Sequence, residues 1–177
     1  MVLVAILAIL PFVLRVPDAV MRTIYPLRYE ETIRQASEEN DLEPDFVAAV
    51  IYTESRFRPD VKSHQDAYGL MQLLPQSARF IQRRSGIEGD FRDPKVNIRL
   101  GTWFLGYLND RYDGDERLML AAYNSGEGSV DTWTSDEGFD IKKDIPYKET
   151  RQYVDRALKT QQTYQDLYGK NLQQQSR

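Results

Sequence analysis

The sequence predicts a mainly α-helical protein. Three observations lead to this: apolar residues recur at helical spacing from Tyr29 onward, proline opens several of these segments, and no stretch alternates apolar and polar residues as a half-buried strand would. The chain has 177 residues, of which 41% are hydrophobic and 28% are charged. This composition suits one globular domain of ordinary size with a short appendage.

The first predicted helix follows a stretch that contains two prolines. Residues 17–28 are predicted to be a linker, because Pro17 and Pro26 interrupt any regular pattern there. A helix is then predicted around the apolar face formed by Ile33, Ala36 and Ser37. We expect the folded domain to span residues 29–168, with a flexible glutamine-rich tail over 169–177.

The second predicted helix begins at Pro44, because proline is favoured in the first turn, and ends near Ser55. Its apolar stripe consists of Val47, Val50 and Ile51. The following residues, 58–68, are polar and predicted to be irregular.

Proline, glycine and an Asp-Gly turn mark the bounds of the remaining elements. Helices are predicted over 75–84, 94–112, 116–124 and 146–168. Loops are predicted over 86–93 and 130–144, and Gly126 and Gly128 are interpreted as stop signals.

The first 14 residues are apolar without a break, and Arg15, Pro17 and Asp18 end the run. A spanning helix needs about 20 apolar residues and a signal-peptide core about 7–15. We therefore interpret residues 1–16 as an export signal or a short membrane anchor. A buried N-terminal helix is the alternative.

Charge and cysteine content exclude several kinds of protein. The net charge is -4 and no dense block of basic residues occurs, which argues against nucleic-acid binding. The chain has no cysteine and one histidine, His64, so it can form neither a disulfide framework nor a thiolate metal site. His64 is predicted to lie in a surface loop.

Glu54 is the candidate acid/base. It lies seven positions after Val47 and four after Val50, so its carboxyl points toward the apolar stripe. It also lies in the last turn of its predicted helix, where the helix dipole disfavours negative charge. Both effects raise the pKa of a carboxyl, as a general acid requires. The alternative is a glutamate that turns toward solvent.

Five blocks occur in a characteristic order. They are ESRFRP (54–59), AYGLMQLLP (67–75), NIRLG (97–101), AAYNSG (121–126) and IPYKETRQYV (145–154). Together they resemble the soluble-type lytic transglycosylase domain, which is related to goose-type lysozymes. The resemblance covers nearly the whole predicted domain. Two departures are Asp66, where the family often has glycine, and Leu74, where many members have methionine.

The resemblance implies a lysozyme-like single catalytic domain that cleaves peptidoglycan. Glu54 would be the sole catalytic acid/base. The residues expected to bind substrate are Ser63, Gln72, Tyr123, Asn124, Glu149 and Tyr153. No metal or organic cofactor is implied.

Individual assignments leave alternatives open. Tyr123 could instead be a core aromatic residue, Asn124 a helix C-cap, and Glu149 the ion-pair partner of Arg151 or Lys148. Gly69 is expected to adopt a positive φ. Leu70 and Met71 are predicted to be core residues.

The expected reaction is cleavage of the MurNAc-β-1,4-GlcNAc bond with formation of 1,6-anhydroMurNAc. One carboxyl suffices if the substrate's N-acetyl group is the nucleophile. The alternatives are a hydrolytic lysozyme, a glycan-binding domain without catalysis and a small helical interaction protein. We expect the protein in the cell envelope, outside the cytoplasm. Its expected partner is the peptidoglycan glycan strand, and the sequence identifies no protein partner.

Overall fold

The computed structural model describes residues 17–172. Within that range the chain forms eight α-helices and no strand, which confirms the mainly α prediction. The helices are α1 (Asp18–Ile24), α2 (Glu30–Glu39), α3 (Pro44–Ser55), α4 (Pro75–Ser85), α5 (Pro94–Arg111), α6 (Glu116–Ser125), α7 (Glu127–Thr134) and α8 (Lys148–Leu172).

Helix α3 forms the centre of the domain. Residues 46–51 are each at most 2% exposed, so α3 is buried on every side. The predicted stripe of Val47, Val50 and Ile51 is therefore only part of the buried surface. The reason is that α8 makes the most extensive helix–helix contact of the domain with α3, and α2 also packs against α3. Because α3 is surrounded by protein, its last turn carries Glu54 to the edge of the core.

One buried amide organises the segment between α3 and α4. The Nδ2 of Asn97 donates to the carbonyl oxygens of Tyr68 (3.1 Å) and Phe91 (2.9 Å), and its Oδ1 accepts from the amide of Met71 (2.8 Å). Gly69 has a φ of +85°, as expected, and a Cβ at this position would lie 2.7 Å from Nδ2 of Asn97. Glycine is therefore required both for conformation and for space.

The segment predicted to be a linker contains helix α1. Pro17 is its N-cap and Pro26 follows its end, positions in which proline bounds a helix without breaking it. The guanidinium of Arg22 lies 4.4 Å from the ring centroid of Tyr168 on α8. The Tyr168 hydroxyl donates to the carbonyl of Tyr25 at 2.9 Å. These contacts attach residues 17–28 to the C-terminal helix.

Two further elements differ from the prediction. Helix α7 occupies the start of the predicted loop 130–144. Gly128 does not end a helix but lies in the first turn of α7, a position that tolerates glycine. Helix α8 runs to Leu172, which is 2% exposed, so the predicted tail 169–177 is helical over its first residues. With 25 residues, α8 is longer than α5, which has 18.

The predicted signal or anchor segment, residues 1–16, lies outside the described residues. None of the helices within residues 17–172 has the length and apolar character needed to cross a bilayer. Two large apolar side chains of α1 are exposed, Val20 (48%) and Ile24 (50%).

We predict that Gly101→Ala destabilises the protein by about 1–3 kcal/mol through overpacking. A Cβ at Gly101 on α5 would lie 2.9 Å from Cβ of Met71 and would also contact its sulfur. Gly128→Ala is the control, since no heavy atom of the described residues lies within 4 Å of a Cβ at that position. Urea unfolding of both variants measures the difference. Equal stabilities would show that Met71 can move without cost.

Candidate active site

A cavity of about 270 Å³ opens where α3, α4, α5, α6 and the start of α8 meet. Its lining residues come from five separate parts of the chain: Glu54, Ser63, Gln65, Ala67, Gln72, Leu73, Leu74, Ser77, Phe104, Tyr123, Asn124 and Glu149. Six of the seven predicted site residues are among them. The seventh, Tyr153, contacts Glu54 from behind.

The carboxyl of Glu54 lies at the inner wall of the cavity. Its Oε1 accepts a hydrogen bond of 2.7 Å from the hydroxyl of Tyr153. Burial raises the pKa of Glu54 from 4.5 to about 7, although the Tyr153 hydrogen bond and the charge of Arg156 act to lower it. Glu54 can therefore hold a proton near neutral pH and release it within the same range, as a general acid and base must.

Tyr123 lines the cavity and donates its hydroxyl proton to the carbonyl oxygen of Met71 at 2.8 Å. Burial, and then the nearby Glu54 carboxylate, raise the pKa of Tyr123 well above its usual value. The phenol therefore stays protonated. Since its proton is engaged with Met71, its oxygen lone pairs are available to accept from a ligand. Tyr123 is half-buried and faces the cavity, so it is not simply a core residue.

Ser63 and Gln72 are held in the cavity by backbone contacts. The Oγ of Ser63 accepts from the amides of Gln65 (3.2 Å) and Ala67 (3.0 Å). The Nε2 of Gln72 donates to the carbonyls of Val61 (3.0 Å) and Gly69 (2.8 Å). Both nitrogen-bound protons of Gln72 are thereby used, and its Oε1 remains as an acceptor for a ligand.

Asn124 and Glu149 form the exposed rim of the cavity. Asn124 is not a helix C-cap, because the C-cap of α6 is Gly126, whose amide donates to the carbonyl of Ala122. Among residues 17–172, Glu149 forms no ion pair with Lys148 or Arg151. Both side chains are therefore accessible to a ligand.

Tyr153 differs from the expected wall position. It is 4% exposed on the inner face of α8, and its hydroxyl contacts the carboxyl of Glu54. Burial, and then the charge of the Glu54 carboxylate, raise the pKa of Tyr153 well above its usual value. This geometry makes Tyr153 a positioning residue that fixes the orientation of the Glu54 carboxyl.

Sequence reasoning did not assign six residues that line the cavity: Gln65, Ala67, Leu73, Leu74, Ser77 and Phe104. Phe104 lies in the middle of α5, and its ring centroid is 5.7 Å from that of Tyr123. No local signal distinguishes Phe104 from its aromatic neighbours on the same helix. Within the described part of the chain, no cluster of three or more carboxylate or histidine side chains could hold a metal ion.

The fold and the cavity define a helical domain with one buried, titratable carboxyl at an open cleft, an arrangement typical of an acid/base site. The chain belongs to the transglycosylase SLT domain family, whose model matches residues 31–146. This finding confirms the resemblance inferred from the five sequence blocks.

Three relatives illustrate the relationship. The soluble lytic murein transglycosylase of Escherichia coli K12 is 30% identical over 155 residues, which are 82% of this chain and 24% of that protein. The membrane-bound lytic murein transglycosylase C of Cronobacter sakazakii is 36% identical over 116 residues, 58% of this chain and 32% of that protein.

The third relative is a solved structure, an inactive Glu-to-Gln mutant of a lytic transglycosylase from Pseudomonas aeruginosa. It matches with a TM-score of 0.75 at 34% identity and covers 81% of this chain and 25% of that chain. The similarity confirms the lysozyme-like fold class. The chain spans about a quarter to a third of the length of these relatives.

We predict that Tyr153→Phe raises the pKa of Glu54 above its present value of about 7, because it removes a hydrogen bond that favours the charged form. Carbon-13 NMR titration of the Glu54 carboxyl measures the shift. The control is Tyr164→Phe, since Tyr164 is also buried on α8 but donates to the carbonyl of Pro26 at 2.8 Å. The same pKa in both variants would contradict the prediction.

We also predict that Glu54→Gln changes how stability depends on pH. The pKa of Glu54 is about 7 when folded and near 4.5 when unfolded, so the folded state binds the proton more tightly. Stability from this group is therefore full below pH 4.5 and is lost as the pH rises to 7. Relative to the parent, Glu54→Gln should gain up to about 3 kcal/mol between pH 5 and pH 8. Urea unfolding at both pH values tests this, and parallel curves would refute it.

Proposed function

We propose that this protein is a peptidoglycan lytic transglycosylase that cleaves the MurNAc-β-1,4-GlcNAc bond and leaves a 1,6-anhydroMurNAc end. The observation that carries the proposal is the buried Glu54 carboxyl, with a pKa of about 7, at the wall of an open cleft. The family membership and the activities named for the relatives support the same reaction. In the relative from Pseudomonas aeruginosa, a Glu-to-Gln change defines the inactive mutant.

In the first step the protonated Glu54 gives its proton to the glycosidic oxygen. The bond between that oxygen and C1 of MurNAc breaks, and GlcNAc departs with a free 4-hydroxyl. The oxygen of the MurNAc acetamido group attacks C1 and forms an oxazolinium intermediate, as in substrate-assisted glycosidases.

In the second step the Glu54 carboxylate removes the proton from the C6 hydroxyl of MurNAc. The C6 oxygen attacks C1, the bond from C1 to the acetamido oxygen breaks, and the 1,6-anhydro ring closes. No water is consumed, and Glu54 ends the cycle protonated as it began. One group with a pKa near the working pH thus performs both transfers.

The other side chains of the cleft hold the substrate in this geometry. Tyr123 accepts the acetamido N–H at its phenol oxygen, because its own proton is committed to Met71. Gln72 and Ser63 hydrogen-bond the sugars close to the scissile bond, and Asn124 and Glu149 bind the strand at the exposed rim.

The carboxylate arrangement favours this scheme over one with two catalytic carboxyls. Glu54 and Glu149 are the carboxylates among the residues that line the cavity, and Glu149 is exposed at the rim. A second carboxyl acting as base or nucleophile would need a fixed position beside the scissile bond. The substrate's acetamido group supplies that function instead.

The proposed location is the cell envelope, outside the cytoplasm, with the chain anchored in the membrane or secreted through residues 1–16. Two observations support this: the unbroken apolar run at residues 1–14 and the membrane-bound relative from Cronobacter sakazakii.

We predict that the full-length protein releases muropeptides ending in 1,6-anhydromuramic acid from purified peptidoglycan, and that Glu54→Gln releases none. Mass spectrometry identifies the product, because a hydrolytic product is heavier by one water. Reducing ends would show a lysozyme instead. The absence of products from a folded parent protein would leave only glycan binding.

A further inference from the structure

An aromatic cluster on α5 adjoins the cavity at Phe104. Phe104, which lines the cavity, has its ring centroid 6.0 Å from that of Tyr107 at an interplanar angle of 13°. Tyr107 in turn lies 6.0 Å from Trp103 at an angle of 8°. The Tyr107 ring is therefore stacked with both of the others, and all three rings are half-buried. We call these three rings the aromatic floor, since sugar rings pack on aromatic faces.

One wall of this floor comes from α4. Ser77 lines the cavity, and Phe80 and Arg84 follow it along the same face of the helix. The guanidinium carbon of Arg84 lies 5.5 Å from the ring centroids of both Phe80 and Tyr107. Arg84 thereby bridges α4 and α5, with its guanidinium over the ring of Tyr107.

Arg84 is exposed, and within residues 17–172 no carboxylate lies within ion-pair distance of it. On α7, Glu127 accepts from the hydroxyl of Tyr107 at 3.3 Å. A ligand that contacts Tyr107 would therefore lie near a cation without an ionic partner and near the carboxylate of Glu127, a hydrogen-bond acceptor.

The spacing along α5 fits one sugar. Phe104 and Tyr107 are separated by about one helical turn, ~5 Å along the axis, which is close to the length of one pyranose in a β-1,4-linked glycan. A strand that occupies the cavity and continues over Phe104 would place its next unit on Tyr107 and Trp103.

We propose that Arg84 and the aromatic floor of Trp103, Phe104 and Tyr107 form an additional saccharide subsite, in which Arg84 binds a carboxylate carried by a muramic acid unit. This inference rests on the proposed peptidoglycan substrate. The carboxylate has two sources: the lactyl group of a muramic acid without peptide, or the peptide stem. Arginine suits either, because its planar guanidinium binds carboxylates through two parallel hydrogen bonds.

We predict that Arg84→Ala weakens binding of carboxylate-bearing strands about fivefold, as loss of an exposed ion pair does. The full-length Glu54→Gln protein is titrated with three ligands: N-acetylchitohexaose, glycan strands stripped of peptide and strands that carry peptide. Arg83→Ala is the matched control, since it removes the same charge from the next, also exposed, position of α4. Chitohexaose has no carboxylate, so it should bind both variants equally.

Trp103 provides a readout of the floor itself. The chain has two tryptophans, so Trp133→Phe leaves Trp103 as the sole reporter, and its fluorescence should change when a strand binds. Tyr107→Ala should weaken all three ligands, because it removes part of the floor.

The outcomes separate the two proposals. A loss confined to stripped strands assigns the lactyl carboxylate, and a loss confined to peptide-bearing strands assigns the stem. Equal binding by Arg84→Ala and Arg83→Ala on every ligand, or an unchanged Trp103 signal, would overturn the subsite while Glu54-dependent cleavage still stood. A parent protein that neither binds nor cleaves any strand would overturn the proposed function itself.

Discussion

The structure depends on placing one carboxyl at the end of a helix whose central residues are fully buried. Residues 46–51 of α3 are surrounded by protein, so the last turn of the helix has little freedom, and Glu54 extends from it into the cleft wall. Burial disfavours the charged carboxylate and raises its pKa. The hydrogen bond from the Tyr153 hydroxyl favours the charged form and lowers the pKa in part. The balance leaves the pKa near 7, which neither effect alone would achieve.

A second constraint links the loop before α4 to the same site. Asn97 holds the backbone of the loop through Met71 and Tyr68, and Gly69 leaves the space that Asn97 occupies. The carbonyl of Met71 then receives the proton of Tyr123. One buried amide on α5 thus determines which way the phenol of Tyr123 on α6 is oriented. The orientation of this cleft side chain therefore depends on hydrogen bonds made within the core.

Sequence reasoning found the helices whose ends carry strong signals. Pro75 and Pro94 begin α4 and α5, and Gly126 ends α6, as predicted. Helices α1 and α7 were missed because seven or eight residues show too little periodicity, and proline or glycine near their ends reads equally well as a loop.

The candidate site was predictable where it belongs to a motif and not where it depends on packing. Five of the six cavity residues of the predicted set lie within the five blocks, and the sixth, Ser63, lies between the first two blocks. The contact between Tyr153 and Glu54 joins residues 99 positions apart, which no local pattern can reveal. The floor formed by Trp103 and Tyr107 has ordinary helical spacing, and only the packing of α4 and α7 against it distinguishes it from a core stripe.

The electrostatics of the cleft keep the phenols of Tyr123 and Tyr153 out of proton exchange. The ionised form of Glu54 raises the pKa of both Tyr123 and Tyr153, which burial has already raised. Both phenols therefore stay protonated when Glu54 loses its proton. A mechanism that uses one carboxyl as acid and then as base requires this separation, because a second titrating group would compete for the proton between the two steps.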